Sequence, residues 1–227
     1  DTGITFNNSV SFNGATDKSD YFVSLSNIND NGIYPTRADS YNKYTFSARG
    51  SYKANNKLSF SSSINYTYSK NHAVGAGQKL SVIQSVYNVP RDISIVEQKN
   101  LNNPFNSPGY YFTPYNGTNP YYLLHNWKDT YESDKIWGKF QADYDILDNL
   151  KLTYRVGLDH TSGQLDNGVP NMSALFPGTP GWTDNGDIGT NFGEYTTRQI
   201  RRREVNQDVM LNFSKPISDF NINAIVG

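Results

Sequence analysis

Residues Lys57–Lys70, KLSFSSSINYTYSK, carry the pattern that decides the fold. Leu58, Phe60, Ser62, Ile64, Tyr66 and Tyr68 fall on one side of an extended chain. Ser59, Ser61, Ser63, Asn65, Thr67 and Ser69 fall on the other. A strand sends successive side chains to opposite faces, so one face here is nearly all apolar and the other small and wettable. Strands of globular proteins usually run about five or six residues. This alternation lasts roughly twice that, near the ~9–11 residues a tilted strand needs to cross a bilayer.

The same pattern recurs on both sides of this stretch and predicts eight strands. Upstream lie Ile4–Asn13, Asp20–Ile28 and Asn42–Ala54, the last with Tyr44, Phe46, Ala48 and Tyr52 on one face. A tight turn at Ala54-Asn55-Asn56 sets the register with Lys57–Lys70. It is expected to pair Tyr52 with Leu58, Phe46 with Ile64 and Tyr44 with Tyr66, gathering the apolar residues on one face. Downstream lie Tyr131–Ile146, Leu150–Thr161 and Tyr195–Ser214, and an eighth strand follows the turn Lys215–Asp219. Short turns therefore alternate with loops at Asn29–Tyr41, Asn71–Thr130 and Ser162–Glu194. Outer-membrane barrels have this asymmetry, with short periplasmic turns and long extracellular loops. The middle loop is too long for an ordinary connection. Leu80, Ile83, Val86 and Tyr87 within it have helical spacing, which predicts one short helix before Pro90.

Composition agrees. The 227 residues include 17 Tyr and 12 Phe but no Cys. Aromatic side chains suit pleated surfaces and the interfacial girdles of barrels. No run approaches the ~18 apolar residues of a membrane helix. The absence of Cys rules out a disulfide framework or a thiolate metal site. A formal charge of −1 gives no reason to expect nucleic acid. Arg201-Arg202-Arg203 is the only basic run, and strand alternation divides it between two faces, as a solvated strand end would be. The chain ends inside an alternating run with neither end capped, and is expected to be an internal fragment of a larger polypeptide, because an open sheet edge facing lipid is not tolerated.

No catalytic constellation emerges. His72, His125 and His160 lie in unrelated contexts without a second ligand at metal spacing. No GxSxG elbow or phosphate-cradling glycine loop is present. Asp143 and Asp145 are spaced as a carboxylate pair on a polar strand face. Across the turn Asp145 is expected to oppose Lys151, and Gln141 to lie near Arg155, a network that a water-filled lumen explains without chemistry. Asp184-Asn185-Gly186-Asp187 lacks the spaced ligands and distal Glu of a calcium loop and reads as a turn. No enzyme activity and no cofactor are expected. The positive signal is aromatic: Tyr110, Tyr111, Tyr121, Tyr122, Trp127 and Trp182, with Phe112 and Tyr115, stand in loops among Asn and Asp. They offer stacking planes plus hydrogen bonds to a sugar or peptide substrate, or else pack the loops against one another or a partner.

A family resemblance sharpens this. Ser11-Phe12-Asn13-Gly14-Ala15-Thr16-Asp17-Lys18, then Tyr21-Phe22-Val23-Ser24-Leu25 and Asn31-Gly32-Ile33, resemble a barrel segment of SusC/RagA-type TonB-dependent transporters. Tyr44-Thr45-Phe46-Ser47-Ala48-Arg49, Asn119-Pro120, and Leu150-Lys151-Leu152 through Arg155-Val156-Gly157-Leu158-Asp159 continue the likeness. It spans nearly the whole chain and weakens in the two largest loops. It departs at Gly14-Ala15, where the family usually shows a glycine pair, and at Ser26, where it shows glycine. The resemblance implies that residues 1–227 are an interior segment of a plugged barrel of the 22-stranded type, about a third of its wall. It implies import of glycan or peptide fragments across the outer membrane, a SusD-like surface lipoprotein as lid, and energy from a TonB complex. The plug, the TonB-contacting segment and the signal peptide normally lie upstream of such a segment. No family-wide functional residue falls within it. The competing readings are a passive porin or adhesin barrel, and a secreted β-sandwich carbohydrate-binding module.

Overall fold

Period-two alternation becomes eight long strands in a computed structural model that describes residues 2–76, 81–106, 108, 118–171, 193–218 and 220–227. They are β1 (Thr5–Ala15), β2 (Ser19–Asp30), β3 (Ser40–Lys53), β4 (Leu58–Ala73), β5 (Lys128–Leu147), β6 (Leu150–Val169), β7 (Glu194–Ile217) and β8 (Phe220–Val226). Each pairs antiparallel with the next in a single sheet ordered β1 to β8, and the sheet is not closed. A sandwich requires a second sheet, and every strand described belongs to this one. The chain is thus all-β, with the meander topology of consecutive barrel staves.

Register sorts the side chains onto two faces. One row runs Phe12, Val23, Ala48, Ile64, Gly138, Leu158, Val205. The adjacent row, on the opposite face, runs Asn13, Phe22, Arg49, Ser63, Lys139, Gly157, Asn206. Among the described residues nothing covers the apolar face: Phe12 is 61% exposed, Ile64 45% and Val209 60%. The apolar band also crosses the strands obliquely. Phe12 marks its short-turn end in β1, yet the same row meets Val205 at its long-loop end in β7. Such drift is what strands tilted against a horizontal boundary produce.

Two expectations need correction. Tyr52 pairs with Phe60, Phe46 with Tyr66 and Tyr44 with Tyr68, two residues from the register expected. The turn is wider because the Asn55 carboxamide oxygen accepts from the amides of Lys57 (2.8 Å) and Leu58 (2.9 Å), drawing Lys57 into it. A two-residue slip preserves parity, so each side chain keeps its face. Second, β5 begins at Lys128 and β6 continues to Val169, well past Tyr131 and Thr161. Beyond Thr161 only Leu165 and Val169 of β6 are apolar, so alternation fades while the ladder with β5 and β7 continues.

Among the described residues the buried hydrophobic core lies outside the sheet. Val82, Leu123 and Leu124 are its members, in a cap built on the long β4–β5 connection. The expected helix is α1 (Val82–Tyr87), and a second, α2 (Pro120–Asn126), precedes β5. Leu80 lies outside the described residues. Among the described residues no helix is long and apolar enough to cross a membrane.

Candidate functional site

The polar face and the cap hold the groups able to meet a ligand. On the polar face, opposite charges fall on neighbouring strands. Arg155 on β6 directs Nε and Nη2 to Asp208 Oδ2 on β7, each at 2.8 Å. Lys135 on β5 reaches Asp159 on β6 at 3.1 Å and lies 5.3 Å from the Trp137 ring centroid. Lys151 stands 3.7 Å from Asp145, and the register places Gln141 opposite Arg155. Asp143 accepts from Gln141 Nε2 at 2.9 Å and from Thr153 Oγ1 at 2.7 Å. Asn212 donates to the same Thr153 hydroxyl at 3.2 Å. The two carboxylates that resembled a catalytic pair are therefore each held by neighbouring side chains, and the arrangement is an exposed lattice of balanced charge. Arg49 sits 4.8 Å over the Phe22 ring.

The cap is organised by short polar side chains, because a connection of this length must satisfy its own backbone. Ser81 caps α1, its hydroxyl accepting from the Gln84 amide at 3.1 Å. Asn119 caps α2 by accepting from the Tyr121 amide at 2.9 Å, with Pro120 in the first turn. Asn119 is fully buried, and its Nδ2 donates to the carbonyls of Gln98 (2.9 Å) and Asn106 (2.7 Å). Asn106 in turn donates to Glu97 O and Asn100 O. One side chain thus closes a helix and ties together two remote turns, a role that Asn fills because it accepts and donates at once. Gln98 is 2% exposed, and neither of its side-chain amide atoms has a hydrogen-bond partner.

The candidate aromatics divide. Tyr121, Tyr122 and Trp127 are half-buried and pack against Val82, Leu123 and Leu124, together with Tyr34, Ala38 and Val74. Tyr34 and Ala38 belong to the β2–β3 loop, so the two loops share one core. Trp127 lies so close over Gly75 that a Cβ there would meet the indole at 2.7 Å. The Tyr122 hydroxyl donates to Asn171 O at 2.7 Å, fastening α2 to the chain beyond β6. Burial pushes that phenol above the usual tyrosine range. Tyr110, Tyr111, Phe112, Tyr115 and Trp182 lie outside the described residues, as does the turn Asp184–Asp187. No group of three or more His, Cys, Asp or Glu that could hold a metal occurs among the described residues. His72 Nδ1 lies 2.9 Å from Thr130 Oγ1.

One open sheet with an oblique apolar band and a charge-balanced opposite face has the architecture of a barrel wall. Comparison with solved structures gives the same architecture. The RagAB peptide importer in its "closed-closed" state aligns with a TM-score of 0.69 at 18% identity, covering 97% of this chain and 23% of that one. Its "open-open" state gives 0.70 and a further structure of the RagAB peptide transporter 0.68, at the same identity and coverage. This identity establishes likeness of fold. The chain spans about a quarter of the length of the chains it matches. No protein-family model matches it, and no curated protein matches its sequence.

Proposed function

We propose that this chain is a stretch of the wall of an outer-membrane transporter of the SusC/RagA type. The apolar band faces lipid, the charged lattice faces a water-filled lumen, and the cap stands at the extracellular mouth. The observation that carries this is the oblique apolar band left uncovered across all eight strands, which water would not tolerate and a bilayer requires. The fold shared with structures named as a peptide importer, and the first-hairpin likeness to the family, support import as the task. In this reading a SusD-like lipoprotein covers the mouth and a TonB complex supplies energy through parts of the protein outside residues 1–227. The substrate is a peptide or glycan fragment. Tyr110, Tyr111, Tyr121, Tyr122, Trp127 and Trp182 are the proposed contacts, with Tyr121, Tyr122 and Trp127 also bracing the loop.

The test is uptake by cells with and without the full-length protein, using labelled peptide and oligosaccharide pools, before and after dissipating the proton gradient. Loss of uptake on deletion and on uncoupling is expected. Uptake that survives uncoupling would replace the importer with a passive pore. Recovery of the protein from the soluble fraction would remove the membrane reading altogether.

A further inference from the structure

Charge on the polar face is unevenly shared. Across β5, β6 and β7 cations meet carboxylates, as Lys135 does with Asp159, Lys151 with Asp145 and Arg155 with Asp208. On β3 the same face carries Lys43, Arg49 and Lys53 and no carboxylate. From Ser59 to Asn71 the adjoining face of β4 offers only Ser, Thr and Asn. Lys139 of β5 lies across Ser63 from Arg49, with Gly157 on its other side. Neighbouring strands are about 4.8 Å apart, so the Arg49 and Lys139 backbones stand about 10 Å apart with a serine between them. Nearby carboxylates are engaged: Asp20 accepts the Ser51 hydroxyl, and Asp143 accepts from Gln141 and Thr153. Among the described residues Arg49, Lys53 and Lys139 make no ion pair. A sheet edge is not the cause, because β3, β4 and β5 each have a ladder partner on both sides.

The cations continue to the short-turn end. There a hollow of 620 Å³ is lined by Lys18, Lys53, Lys57 and Lys151 against Asp17 and Asp145. Higher up, the Phe22 ring lies 4.8 Å from the Arg49 guanidinium, which holds the head in place and leaves its N–H fork unpaired. That fork matches a carboxylate with two parallel hydrogen bonds. Fixed cations spaced down one wall concentrate anions, and Lys and Arg lining a pore select for them. We propose that the β3–β5 part of the polar face recognises carboxylates of the imported fragment. Arg49 and Lys139 grip the cargo beside the midpoint of the wall, and the lysine hollow receives it at the short-turn end. The inference rests on the transporter reading above and narrows its cargo to acidic oligomers, the carboxylates coming from Asp and Glu of a peptide or from uronate of a glycan.

The experiment is uptake by cells making the full-length protein. The probes are a labelled Asp/Glu-rich peptide with its Asn/Gln counterpart, and an oligogalacturonate with its methyl ester. The natural sequence should take up one acidic probe about tenfold faster than its neutral counterpart, the effect of one charge-assisted hydrogen bond. Which acidic probe is preferred identifies the source of the carboxylate. R49Q/K139Q should erase the preference, R49E/K139E should reverse it, and R49K should keep it. K215Q removes a charge from the opposite face, on β7, and should leave the preference intact. R49Q and K139Q alone should each weaken it, and they supply the answer if the double variants do not reach the outer membrane. Equal uptake of acidic and neutral forms, or a preference that survives R49Q/K139Q and both single changes, would overturn the inference. Equal loss of both forms in these variants would also overturn it, making the cations partners of another part of the polypeptide. In each of these cases, uptake that still requires the protein leaves the importer reading standing. Uptake of every probe unchanged by deletion of the protein would overturn the importer reading itself.

Discussion

Ile64→Arg tests the facing of the wall at its centre. Ile64 lies midway along the apolar stretch Leu58–Tyr68 of β4, between Ala48 on β3 and Gly138 on β5. Neither neighbour can shelter a guanidinium, and the midpoint is too deep for the side chain to reach water easily. An arginine at the midplane of a barrel wall costs about 2–4 kcal/mol, or roughly 30- to 900-fold in the folded ratio. The control must sit on the other face of the same strand. Ser63 is adjacent but stands between Arg49 and Lys139, where a third cation would add repulsion. Ser61, between Ser51 and Gln141, avoids this, and Ser61→Arg should cost under about 0.5 kcal/mol, as a change in a hydrated surface does. Urea titration of the full-length protein folded into lipid vesicles gives both values. Equal losses for Ile64→Arg and Ser61→Arg would refute the assignment of faces.

Other consequences can be measured on the same protein. A Cβ at Gly138 would stand 2.3 Å from the Ser63 carbonyl, so Gly138→Ala should strain the β4–β5 ladder by about 1–3 kcal/mol, read as a lower urea midpoint. Asn119→Ala leaves the buried carbonyls of Gln98 and Asn106 without their donor and uncaps α2. A local loss of about 2–3 kcal/mol should appear as faster amide exchange across residues 97–106 and 118–126, with the strands unchanged. Asp208→Asn breaks the pair with Arg155, but both side chains are about two-fifths exposed, so the loss should stay under about 1 kcal/mol and shrink with salt. Tyr122 donates its phenol proton to Asn171 O, and burial raises its pKa. That contribution is complete below the ordinary tyrosine pKa and should disappear as pH rises through the raised value, seen as proteolysis near residue 171 that Tyr122→Phe shows at every pH.

Where a boundary between oil and water acts on the chain, the sequence displays it. The faces of β3 through β6 follow from alternation because an apolar and a polar surface impose opposite demands on successive residues. The same logic leaves the long-loop ends of β5, β6 and β7 unwritten: past Thr161 and before Tyr131 apolar residues do not alternate, and hydrogen bonding holds the strands without a hydrophobic pattern. The β3–β4 register escaped for a different reason. The Asn55 side chain decides how many residues the turn consumes, and composition does not reveal which amides it will accept from. In the cap, α1 was legible from apolar spacing, whereas α2 announced itself only through Asn119-Pro120, a capping residue followed by a first-turn proline. The aromatic residues looked alike in sequence. Contact with Val82, Leu123 and Leu124 is what marks Tyr121, Tyr122 and Trp127 as braces, and that contact joins segments far apart in the chain.

The cap also bears on how the wall is assembled. Five of the seven strand pairs close across connections of fewer than ten residues and β6 meets β7 across residues 170–193, but β4 and β5 must meet across residues 74–127. Closing a loop of that length costs about 2–3 kcal/mol more than closing a tight hairpin. A cap whose helices dock early around Leu123 would bring Ala73 and Lys128 together before the ladder forms, shortening the effective loop. The kinetic signature would be slower pairing of β4 with β5 when Asn119 or Leu123 is replaced, with hairpin formation on either side unaffected. The cap would then serve the sheet twice, as a guide to β4–β5 pairing during folding and as a brace between the loops thereafter.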